Sequence, residues 1–395
     1  MRLHLTILTL TGFALLALLW HIMAPGIVWG ADGLKLSAAQ DFMNYWGAPQ
    51  LASHDINLLF NGHAYERALH ALSDLSFQQL RWSYPLHSLF FYAPFASLPY
   101  TPALIAWSIL GLTAFAAAFW HAAALQHRVV LLAFLLLSPV SLLELATRQN
   151  GFFIGAASLI VLLLLDRGRP VAAGILLGCL TIKPQLFLLW PLYLLMTKQW
   201  RCITAASLTT IALIALSISV YGLVAWQHYL TYLNSIQWQL LTAGEYNESR
   251  KLFHLMMPGV TPALRLLNAP EQLVLILQLA VSMATILLSI RAFRQPLTLA
   301  ERALILSLGA FLVSPYGFNY DMTLLTAALL LMAATKRLNL YETILGSLIY
   351  LLPLLIYILN LIDLPIAPLL LMLLFLAASD SITRTRYRNG EPPTP

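Results

Sequence analysis

The chain has 395 residues, of which 60% are hydrophobic and only 10% charged, and its formal net charge is +6. A soluble domain carries about a quarter charged residues, so this composition excludes one and describes a polytopic membrane protein. The Lys and Arg residues fall in short clusters between apolar runs, the positive-inside pattern, which removes the nucleic-acid partner that a basic soluble chain would suggest.

Apolar runs measured against the roughly 20 residues that cross a bilayer predict an all-α bundle of about twelve transmembrane helices. They lie near 5–23, 102–121, 128–146, 150–166, 169–183, 185–198, 202–222, 271–291, 301–315, 320–335, 341–360 and 364–379. The first run reads as a retained helix, not a cleaved signal peptide. The basic clusters at 167–169, 198–201, 291–302 and 384–388 then share a face with the N-terminus, which predicts a multi-pass protein of the cell (inner) membrane with both termini cytoplasmic. The apolar stretch 85–100 is kept outside as an interfacial helix. It contains Pro85, Pro94 and Pro99, and counting it as a crossing would put the later basic clusters on the wrong face.

Residues 1–380 are thus predicted to form one transmembrane domain with two long extracytoplasmic segments, 24–101 and 223–270, followed by a disordered cytoplasmic tail, 381–395. The cytoplasmic connections are too short for a nucleotide-binding domain, so any chemistry faces outward. Cys179 and Cys202 lie in or beside apolar segments and behave as small hydrophobes, without a disulfide framework.

In chain order, the first candidate is Asp41, a carboxylate among Phe42, Tyr45 and Trp46, which predict a short helix at headgroup depth. A carboxylate there can take a proton from an acceptor hydroxyl, so Asp41 is the candidate catalytic base, set against a solvated or helix-starting acid. Glu144, Arg148, Gln149 and Asn150 meet at an outer corner. Glu144 and Arg148 stand i, i+4, which suits an ion pair, while the planar fork of Arg148 also suits a phosphate. Lys183-Pro184-Gln185 breaks an apolar run, and an ionisable residue there either snorkels or faces a cavity. His254 with Arg250 and Lys251 forms a basic group fit to face an anion. A third outer corner, 314–321, carries Asn319, Tyr320 and Asp321, with Asp321 read as a capping or substrate-orienting acid and not a second base. The histidines of the first outer segment lack metal-ligand spacing, so no metal and no cofactor is predicted.

Taken together, these pieces resemble glycosyltransferase family 87 of the GT-C superfamily, similar to polyprenol-phosphate-mannose-dependent mannosyltransferases. The resemblance rests on Asp41-Phe42, Tyr84-Pro85 with Pro94 and Leu98-Pro99, Gln149, Ala173-Gly174 leading to Gly178, Lys183-Pro184-Gln185, and Ser314-Pro315 with Tyr320-Asp321, from about 37 to 335. The chain departs from the family pattern at Leu86, where a second proline is common, and at Arg148, where a glycine is common.

The resemblance implies a metal-independent, inverting transfer of a hexose, mannose by analogy, from a polyprenyl-phosphate sugar to a lipid or glycan hydroxyl outside the cytoplasm. Asp41 is implied as base. On this reading Lys183, Arg148, Arg250, Lys251 and His254 meet the donor phosphate, and Tyr84, Gln149, Gln185, Asn319, Tyr320 and Asp321 hold substrate. The rival is a multi-pass transporter or lipid flippase, disfavoured by the two long outer segments and the scarcity of charge within spans.

Overall fold

The computed structural model describes residues 27–30, 33–36, 40–73, 80–242, 253–335 and 340–388. It is helical apart from a short antiparallel hairpin, Ile27–Gly30 with Gly33–Leu36. The first predicted crossing, 5–23, lies outside the described residues, as do Arg250 and Lys251.

By contact the chain forms two compact units. One comprises 1–113, 142–150 and 210–243, and the other 114–141, 151–209 and 244–395. The helices are α1 (Gln40–His54), α2 (Gly62–Leu72), α3 (Leu89–Ala96), α4 (Tyr100–Ala122), α5 (Arg128–Leu136), α6 (Pro139–Thr147), α7 (Gly151–Asp166), α8 (Pro170–Cys179) and α9 (Trp190–Met196). They continue with α10 (Trp200–Tyr221), α11 (Leu223–Thr242), α12 (Val260–Leu266), α13 (Glu271–Phe293), α14 (Leu299–Val313), α15 (Thr323–Thr335), α16 (Leu340–Leu361) and α17 (Ala367–Arg388).

Four helices, α4, α10, α13 and α16, are long and apolar enough to cross a membrane. A fifth crossing arises if the pair Leu125–Leu136 and Pro139–Thr147, bent by 46°, acts as one span. The other apolar runs are helical but shorter, as in Gly151–Asp166, Pro170–Ile182, Pro184–Met196 and Ala367–Ile382, so the described helices do not reach a count of twelve full-length spans. Between the start of the 85–100 stretch and α4, which begins at Tyr100, lie the 3-10 turn Leu86–Ser88 and the eight-residue α3, with Pro94 inside it. That is far below the length of a crossing. α17 continues to Arg388, so residues 381–388, predicted as disordered, are helical. No glycine or proline interrupts the chain there before Gly390, so nothing in the backbone stops the helix sooner.

In the first unit α1 lies against α3, and the turn Ile56–Phe60 lies against α11, with the Phe60 ring among His228, Tyr229 and Tyr232. In the second unit α14 is buried almost along its whole length and packs against α13, α15 and α17. Pro315 cannot continue α14, which frees its last carbonyls. The side chain of Gln278 on α13 donates to Leu312 O at 3.0 Å, and Ser282 donates to Val313 O at 3.1 Å. Gly174 and Gly178, four apart on α8, let the start of α10 approach closely. A Cβ on Gly178 would stand 2.7 Å from Thr209 Cβ and 2.8 Å from Ala206 O, and one on Gly174 would collide with the Cys202 carbonyl. This is the small-residue spacing by which apolar helices bring their backbones together.

Candidate active site

Asp41 sits in the first turn of α1, where a carboxylate complements the positive end of the helix, and it is half-buried. The aromatic neighbours read from the sequence as a membrane-surface belt are instead part of the protein interior. Phe42 and Tyr45 are buried to 0% and 1% exposure, and Trp46 donates from its indole to Leu98 O at 2.8 Å. The reason is local supply. Tyr84, Tyr92, Tyr100 and Trp107 offer apolar faces within the same unit, and burying aromatic area there gains more than leaving it at an interface. The Tyr45 ring stacks on Trp107 at 5.0 Å and 26° and lies 4.6 Å from Tyr92.

One turn along α1 from Asp41, on the same face, Tyr45 stands in the middle of a hydrogen-bond chain. The Tyr45 hydroxyl donates to Gln149 Oε1 and meets the Tyr84 hydroxyl at 2.7 Å. One proton per hydroxyl makes the consistent order Tyr84 to Tyr45 to Gln149. The Trp107 indole N–H is shared between Arg148 O and Gln149 O, both at 3.2 Å, and Asn150 donates to the Tyr92 hydroxyl at 3.1 Å. The corner 148–150 is thereby held from two sides.

Within that corner Arg148 has φ 58°, the left-handed region. For a residue with a side chain this costs about 1 kcal/mol. The turn carries Arg148 off the helical face of α6, so the i, i+4 ion pair with Glu144 does not form. Glu144, itself buried, acts on the guanidinium only at longer range. Burial lowers the Arg148 pKa, while Tyr100 and Glu144 oppose that shift. The Tyr100 hydroxyl lies in the fields of both Arg148 and Asp41.

His87, in the turn Leu86–Ser88, is 2% exposed and stacks on Trp226 at 6.1 Å and 13°. Burial pushes its pKa from 6.5 down to about 4. Because the folded value is the lower one, the unfolded chain binds more protons between these two pH values. Stability is fully present above pH 6.5 and is lost as pH falls toward 4. The loss is on the order of 3 kcal/mol. Thermal unfolding of the detergent-solubilised chain against pH is expected to show that slope, and His87→Gln to flatten it. An identical slope in the variant would remove His87 as its source.

The second unit builds a different cluster. Pro184 ends the helical path after Ile182, and Lys183 stands between two short 3-10 turns. Its Nζ lies 2.6 Å from Asp321 Oδ1, with side-chain exposures of 3% and 0%, and 5.0 Å from the centre of the Tyr320 ring. The second oxygen of Asp321 accepts from Phe318 N at 3.3 Å, so this acid both pairs and caps. Tyr320 stacks on Phe318 at 5.0 Å and 6°. Asn319 donates to Pro353 O at 2.8 Å, and its own N–H donates to Met256 O at 2.9 Å. Gln185 is half-buried in the turn Pro184–Phe187. His254 is buried, and its carbonyl accepts from Asn360.

The predicted site residues therefore fall into two groups. Asp41, Tyr84, Arg148 and Gln149 belong to the first unit, while Lys183, Gln185, His254, Asn319, Tyr320 and Asp321 belong to the second. In the second group the polar side chains of Lys183, Asn319 and Asp321 are committed to internal bonds. Sequence reasoning passes over Tyr92, Tyr100 and Trp107 as members of the first group. Asn150, beside Gln149, and Tyr45, one turn from Asp41, are visible in the sequence without the bonds they make.

Long apolar helices interrupted by buried polar clusters define a multi-pass membrane protein. The chain belongs to glycosyltransferase family 87, whose profile matches residues 82–315. The match includes Tyr84, Arg148, Gln149, Lys183 and Gln185, and leaves Asp41 and 319–321 outside it. No curated protein and no solved structure matches the chain.

Proposed function

We propose that this membrane glycosyltransferase moves a hexose, mannose by family analogy, from a polyprenyl-phosphate sugar to a lipid or glycan hydroxyl on the extracytoplasmic side of the cell membrane. The observation that carries the reading is Asp41, half-buried at the start of α1 and sharing the field of Tyr100 with Arg148. Asp41 takes the proton of the acceptor hydroxyl as that oxygen attacks the anomeric carbon. The bond from the anomeric carbon to the phosphate oxygen breaks, its electron pair leaves with the polyprenyl phosphate, and the configuration inverts. Tyr84 and Gln149, fixed through Tyr45, are suited to orient sugar hydroxyls. The chain's own residues suffice for this chemistry as written, with no metal assigned a step. Family membership favours transfer over the transporter reading.

The test is direct. The purified chain is incubated with a polyprenyl-phosphate mannose labelled in the sugar, or with a labelled sugar nucleotide, each with a membrane lipid extract as acceptor, with and without EDTA. Label is expected to leave the lipid donor alone, with release of polyprenyl phosphate and no effect of EDTA. Transfer from the sugar nucleotide alone would overturn the donor assignment.

A further inference from the structure

Arg148 combines three features that fold stability does not require. Its backbone occupies the left-handed region, in which a side chain is a liability. Its guanidinium is half-buried, and its Nε is shut away from solvent without an acceptor. Among the described residues no side chain forms a hydrogen bond or ion pair with that guanidinium. A buried cation is normally coordinated, since partial desolvation without hydrogen-bond partners is costly. Here the balancing charge of Glu144 acts from a distance, which leaves the planar set of donors open.

The backbone around Arg148 is held independently of its side chain. The Trp107 indole grips the carbonyls of 148 and 149, and the Arg148 N–H closes onto Glu144 O at 2.8 Å. Strain kept in place by its surroundings, at a charged residue that acts on the same Tyr100 hydroxyl as the candidate base, runs from observation to function. A planar fork of donors matches two oxygens of a phosphate better than an ammonium does.

We propose that Arg148 is a phosphate-binding residue: the left-handed turn after α6 presents its guanidinium, uncoordinated, to a phosphate ester carried by a substrate of the Asp41 site. The proposal rests on the transferase reading for its place beside the reacting group, but not for the binding itself. Two substrates could carry such an ester, the lipid-phosphate donor or a phosphorylated acceptor.

Binding is measured first without turnover, on the full chain in detergent, with farnesyl phosphate and with farnesol as the probe lacking phosphate. Arg148→Met keeps bulk and backbone strain but removes the charge. Arg148→Gly removes charge and strain together, because glycine adopts positive φ freely. The wild type is expected to bind farnesyl phosphate at least tenfold more tightly than farnesol. Both variants are expected to lose that preference, with Arg148→Gly unfolding at the wild-type temperature or above it. Arg148→Lys is expected to retain part of it. A preference kept within twofold in Arg148→Met, or absent in the wild type, overturns the proposal.

Steady-state kinetics then separate the sources. A KM raised for the donor assigns the phosphate to the donor, and a KM raised for a phosphorylated acceptor alone assigns it to the acceptor. If the chain proves to use some other donor, the binding comparison still reads Arg148, so failure of the donor assignment and failure of this proposal remain distinguishable.

Discussion

Asp41→Asn is expected to lower sugar transfer by roughly 100- to 10,000-fold, the range over which a positioned general base contributes. The substitution keeps the shape of the side chain and removes its capacity to accept a proton. It should leave the fold in place, because α1 is anchored by Phe42, Tyr45 and Trp46 in the interior of its unit. An acid in a first helical turn contributes only about 0.3–1 kcal/mol to stability. Initial rates and unfolding temperatures measured on the same preparation separate the two effects. A folded Asp41→Asn protein transferring sugar at the wild-type rate would end the assignment of Asp41 as base.

The second large effect concerns stability. Removing one member of a buried ion pair strands the other charge at a cost of about 3–5 kcal/mol, and the Lys183–Asp321 pair is buried on both sides. Lys183→Met leaves a carboxylate without its cation, and Asp321→Asn leaves an ammonium against the Tyr320 ring. Each single variant is expected to unfold at a markedly lower temperature or to accumulate poorly. The double variant is expected to recover most of the loss, since an apolar and a neutral group replace the pair and the introduced amide oxygen can still accept from Phe318 N. A double variant as unstable as the sum of the singles would show that the two residues act separately. A double variant that folds well but transfers no sugar would give the pair a role in the reaction besides its structural one.

The course of the helices was legible because it depends on local features. Apolar run length, the prolines at 139, 170, 184 and 315 and the polar corners between runs mark where helices start and stop, and the predicted runs within the described residues do fall on helices. The number of crossings was not legible, because α14 and α15 are apolar for the sake of burial within their unit as much as for lipid. The inward turn of Phe42 and Tyr45 depends on Trp107 and Tyr92, far along the chain, and an aromatic residue suits a membrane surface or a core equally well. At Arg148 a helical spacing rule suggested a pair with Glu144, and a single left-handed residue cancelled it. In the candidate site the residue types were therefore readable, while their partners were set by contacts that no spacing encodes.

The 138 residues that separate Lys183 from Asp321 also set a sequence of events in time. A ribosome adding about 5–20 residues per second leaves Lys183 waiting roughly 7 to 28 s before its counter-charge is made. Through that interval the half-made chain carries an ammonium whose burial is not yet balanced, so Lys183 must stay within reach of water until Asp321 is made.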